Sequence, residues 1–79
     1  MIYHGIFRGI CINNLDPLAN GRVQVRVPEV FGDQDSSWAV PCRALGVPGA
    51  APPSVGQAVW VMFEGGDASR PVVMGTYPQ

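Results

Sequence analysis

Lysine is absent from the chain, and its five basic residues are all arginine. Charge of either sign is scarce. Charged residues make up 14% of the 79 residues, and the net charge is −1. That balance gives no general field to draw the chain to nucleic acid or to membrane phosphates. Arginine does suit buried or interfacial ion pairs, because its planar fork meets a carboxylate with two bonds. Cysteine is limited to Cys11 and Cys42, far apart in sequence. A secreted, disulfide-stapled domain of this length carries more, so two reduced, buried thiols are expected. There is no CxxC pair and no His-Cys cluster with metal-ligand spacing. No apolar run approaches the ~20 residues of a membrane span. Met1-Ile2-Tyr3-His4 lacks the basic-then-apolar layout of a signal peptide, so synthesis and folding in the cytoplasm are expected.

What is abundant points the other way. Hydrophobic residues reach 47%, in a length that buries only a modest fraction of its surface. Apolar side chains must therefore lie outside as well as inside, which favours assembly over a free monomer. Ten glycines and eight prolines punctuate the chain at short intervals, the pattern of an all-β domain with tight turns. The whole chain, 1–79, is read as one domain.

Five strands are predicted. The first runs from about Tyr3 to Ile12, with Gly5 and Gly9 permitting sharp coiling. A loop of turn formers, Asn13 to Gly21, follows. In the second strand, Arg22 to Val27, Val23, Val25 and Val27 alternate with Arg22, Gln24 and Arg26, and Pro28 ends it. Glu29 to Ser37 reads as a polar loop, with Gly32 to Ser37 expected to be mobile. The third strand spans Trp38 to about Leu45, and Pro41 marks it as an edge strand or a bulge. A Pro/Gly/Ala loop covers Gly46 to Ser54, where a short turn is the one helical feature expected. The fourth and fifth strands are Gln57 to Phe63 and about Pro71 to Tyr77. Gly65 and Gly66 supply the positive φ of the turn between them.

The fourth strand is apolar on both faces. Val59, Val61 and Phe63 point one way, and Ala58, Trp60 and Met62 the other. A small barrel has one interior to fill, so the second face is expected to meet another copy of the chain. Ala58, Trp60 and Met62 are the candidate contact residues for a homotrimer.

Five strands with a long loop between the third and fourth suit a five-stranded oligonucleotide/oligosaccharide-binding (OB) barrel. Several stretches carry a closer likeness. They are Gly5-Ile6-Phe7-Arg8-Gly9, then Asn14-Leu15-Asp16-Pro17 leading to Gly21-Arg22-Val23-Gln24-Val25-Arg26-Val27-Pro28, and Trp38-Ala39. Pro53 to Val61, Phe63-Glu64-Gly65-Gly66-Asp67 and Arg70 to Gly75 complete the set. Taken in order, they resemble the OB domain at the base of the central spike in contractile injection machines. That family includes contractile-phage baseplate hub and tail-spike proteins and the VgrG proteins of type VI secretion.

The resemblance implies a structural role in a virion tail baseplate, assembled in the host cytoplasm. Three OB domains would pack round an axis, joining the tail tube or hub to a needle. The family's C-terminal β-helix, lysozyme-like domain and metal-binding tip have no counterpart before Gln79. That leaves a needle on a separate chain, an excised domain or a reduced hub protein. Other tail proteins would be the partners, through loops carrying Asp16, Asp33 and Asp35.

Other readings are weaker. Asp16, Glu64 and Asp67 are better turn and strand-end residues than the carboxylate pair of a glycosidase. His4 has no triad partners and reads as a strand or interface residue, with an ion shared by three copies as a remote variant. Tyr3, Phe7, Trp38, Trp60 and Tyr77 would stack bases beside Arg22 and Arg26 in a single-strand-binding OB module, or meet an oligosaccharide. The charge balance and the aliphatic neighbours disfavour it. Arg22 and Arg26 are expected to pair with a neighbour's acids or to be solvated. No catalytic residue, metal, cofactor, nucleic acid partner or membrane anchor is expected.

Overall fold

The computed structural model describes residues 2–43, 45 and 52–78. Five strands form one sheet: β1 (Phe7–Asn13), β2 (Gln24–Arg26), β3 (Val40–Pro41), β4 (Ala58–Phe63) and β5 (Pro71–Thr76). Their order in the sheet is β2-β1-β4-β5-β3. All pairings are antiparallel except β3 with β5, which is parallel. The sheet curls until its two outer strands face each other. There Val23 and Ala39 exchange backbone hydrogen bonds of 3.1 and 2.6 Å, and Arg26 bridges to Asp35. This all-β, curled five-strand arrangement is that of an OB fold.

The core is built largely from the alternating valines. Val23, Val25, Val27, Val59, Val61 and Val73 gather round Cys11, Ala39 and Phe63. Burying each such side chain contributes roughly 1.5–3 kcal/mol. Space is tight where β1 crosses β2. A Cβ on Gly9 would lie 3.1 Å from the Arg26 carbonyl and 3.2 Å from Val27 and Val61 methyls, so a side chain there would force the crossing apart. At one end of the barrel, Tyr3, Phe7 and Phe31 set their rings round Phe63 with centroids 5.6–6.0 Å away.

Several boundaries differ from the sequence expectations. β1 starts at Phe7 rather than Tyr3, because the chain before it turns back, and the Tyr3 N–H donates to the Gly66 carbonyl. β3 is reduced to Val40–Pro41, with the Cys42 N–H donating to the Val73 carbonyl just past it. The expected helical turn in Gly46–Ser54 falls mostly outside the described residues. A helical turn, α1, lies instead at Pro28–Phe31. Pro28 starts it rather than simply ending β2, because a first-turn residue has no use for an N–H.

The stretch expected to be mobile, Gly32 to Ser37, is tied to β2. The Ser36 N–H donates to the Val25 carbonyl, and the Val25 N–H donates to Ser36 Oγ at 3.0 Å. Ser36 is buried.

Candidate functional site

Strand pairing places two rows of side chains on the outer face of the sheet. Arg8 lies opposite Trp60, and Trp60 opposite Gly75. In the next row Met62 lies opposite Val72, and Val72 opposite Val40. A bulge between Trp60 and Val61 leaves Met74 as an extra residue of β5. Met62 is 37% exposed and Met74 41%, and Val40 and Ile6 are also exposed. The face is thus apolar and uncovered within the described chain.

Its centre is a stack. The Trp60 and Tyr77 rings lie 4.6 Å apart between centroids. The Arg8 guanidinium sits 5.5 Å from both. Tyr77 is placed there by its N–H, which donates to the Ala58 carbonyl. The three residues proposed from sequence for a trimer contact therefore differ. Trp60 and Met62 reach the outer surface, whereas Ala58 is 1% exposed and packed within its own chain.

The loop residues separate in the same way. The Asp16 side chain is only 2% exposed. It accepts hydrogen bonds from the backbone N–H groups of Leu18, Asn20 and Arg22, at 2.9, 3.1 and 3.2 Å. Arg22 Nε and Nη2 close a two-bonded fork on it at 2.8 and 2.9 Å. That guanidinium holds the Asp16 carboxyl well below its ordinary 3.8, and the backbone donors add to the effect. Arg22 also lies over the Trp38 ring. Asp16 therefore organises its own loop, and Leu15 and Leu18 take the exposed positions. Asp35 pairs with Arg26 at 3.0 Å. Asp33 is exposed. Arg22 is thus held by a carboxylate of its own chain rather than by a neighbour or solvent, whereas Arg26 is paired with Asp35 and remains largely exposed to solvent.

Gly65 and Gly66 lie at φ 60° and 78°, in the turn between β4 and β5, where their left-handed backbone breaks any helical run. Gly66 is buried, and a Cβ on it would collide with the Ile2 side chain.

The carboxylates once weighed for hydrolysis are occupied. Glu64 pairs with Arg70 at 2.8 Å, and Asp67 accepts from the hydroxyl and backbone N–H of Ser69. The Ser69 bonds lower the pKa of Asp67. A general acid needs a shift in the opposite direction. The aromatic residues do not share one groove. Tyr3 and Phe7 pack on Phe63, Trp38 carries Arg22, and Trp60 and Tyr77 hold Arg8.

The two cysteines are free. Cys11 is buried, donates weakly to the Pro53 carbonyl, and has its thiol pKa pushed up by burial. Cys42 is exposed, contrary to the expectation of two buried thiols. It lines an open cavity of about 250 Å³ with Arg43, Gln57 and Thr76. No group of three or more potential metal ligands occurs among the described residues. Among those residues no helix is long and apolar enough to cross a membrane.

The family model of the type VI secretion system/phage-baseplate injector OB domain matches residues 7–77. The chain belongs to this family. The match begins at the first residue of β1 and ends one residue past β5, so it takes in every strand of the injector OB domain. A comparison with curated proteins gives no match. Membership assigns the injector OB domain a structural role in a phage baseplate or type VI spike, and tail or baseplate components are its class of partner.

No local sequence pattern singles out Arg8, because its place beside Trp60 and Tyr77 depends on the β1–β4 register.

Proposed function

We propose that the injector OB domain works as a homotrimer at the centre of a virion tail baseplate, joining the tail tube or hub to a spike. The observation that carries this reading is the uncovered apolar face of β1, β4 and β5. Trp60 and Met62 are its contact residues, and Ala58 is buried within its own chain. A hub-like position needs two more contacts, one at each end of the barrel. Asp33 and the exposed leucines of the Asp16 loop supply candidates. No enzymatic step is assigned to the chain.

Sedimentation equilibrium tests the reading. The purified chain is expected to form a trimer at micromolar concentration. Trp60→Asp should weaken each contact by about 2 kcal/mol or more, as for a central aromatic anchor. A folded monomer at high concentration would overturn the trimer.

A further inference from the structure

Three ion pairs form within the described residues, and they leave charged side chains of both signs without an ionic partner. Among the described residues, Arg22, Arg26 and Arg70 are matched by Asp16, Asp35 and Glu64. Asp67 is satisfied by Ser69. Glu29 and Asp33 are the exposed carboxylates left without a partner there. Both belong to α1 and the turn after it. On the cationic side, Arg8 and Arg43 lack a carboxylate among the described residues.

Arg8 is the one set in the uncovered sheet face. Its guanidinium is 5.5 Å from both the Trp60 and Tyr77 rings. Stacking of this kind fixes the fork and leaves its N–H donors free for a carboxylate.

We propose that Arg8 of one copy pairs with the Glu29–Asp33 stretch of the next, so that α1 of each protomer covers the sheet face of its neighbour. This inference rests on the trimeric reading above and names the surfaces it uses. A second copy is the occupant because the chain itself carries the complementary charge, in the exposed Glu29 and Asp33. A two-fold contact through the sheet face would bring Arg8 toward Arg8, and like charges set against each other are penalised. Joining unlike faces avoids that repulsion, and such a head-to-tail contact forms a ring when its rotation closes.

Charge reversal followed by sedimentation equilibrium of the full chain tests the contact, with near-ultraviolet circular dichroism to verify folding. Arg8→Glu alone, and Glu29→Arg with Asp33→Arg, should each raise the half-assembly concentration by about tenfold or more. Combining all three substitutions should recover most of the loss. Arg8→Met is the milder variant should a reversal disturb the fold. It should remove most of the salt dependence of assembly. A trimer that is indifferent to these changes, or a combination that recovers nothing, overturns the Arg8 contact and leaves the trimer standing. A wild-type chain that stays monomeric overturns both.

Discussion

At Gly66 two independent demands meet on one residue. The backbone is left-handed, and the neighbouring Ile2–Tyr3 segment leaves no room for a Cβ. Gly65 shares the first demand but has open space around it. Gly65→Ala should therefore cost about 1 kcal/mol, for the backbone conformation alone. Gly66→Ala should cost about 2–4 kcal/mol, because overpacking adds to the same strain. Denaturant titration of the two variants checks the order, and equal losses would refute the packing argument.

Asp16 gives a second residue-scale prediction. Its pKa is depressed in the fold, chiefly by Arg22. The stability it contributes is therefore present above the ordinary value of 3.8 and is lost as pH falls through the folded value. Stability measured from about pH 6 downward should fall on the acid side, and Asp16→Asn should flatten that fall. An unchanged acid limb in the variant would place the sensitivity elsewhere.

Among the elements, α1 is the least legible in sequence. Four residues cannot display a helical period, and Pro28 has the same appearance whether it ends a strand or starts a turn. What fixes α1 is tertiary, namely the Phe31 ring against Phe63 at 5.8 Å. Phe31→Ala should thus cost about 2 kcal/mol, less than a fully buried phenylalanine. It should also loosen Glu29 and Asp33. A loss below about 0.5 kcal/mol in thermal unfolding would show α1 to be an ornament of the loop.

The long strands were legible for the opposite reason. The valines of β2 alternate with polar residues, and alternation reports burial directly, while β4 is an unbroken apolar run bounded by turn residues. β3 is shorter than the apolar run from Trp38 to Leu45 suggests, because composition does not say how far a strand finds a partner. On the outer face, the exposure of Trp60 and Met62 followed from parity alone. Ala58 shares that parity but is covered by its own chain. The arginine fork on Asp16 was illegible, because a loop must close before residues six apart can meet.

At the scale of the whole molecule, the outer sheet face and the short acidic stretch are both exposed on one small barrel. A symmetric assembly that uses both should depend on concentration as a cooperative unit. The melting temperature of the injector OB domain should therefore rise with protein concentration. Trp60→Asp should abolish that rise without greatly changing the stability of the dilute protein. A concentration-independent melting temperature in the wild type would contradict assembly.

The joint between β2 and the Asp35–Ala39 segment has mechanical consequences of its own. β1, β4 and β5 are laced by antiparallel ladders, interrupted by one bulge between Trp60 and Val61. The joint is held by the Val23–Ala39 exchange, the Arg26–Asp35 bridge and the hydroxyl of Ser36. Under a pull that spreads the barrel, the laced strands share the load and this joint does not. It is the line along which the wall would tear, and Ser36→Ala would lower the force at which it gives way.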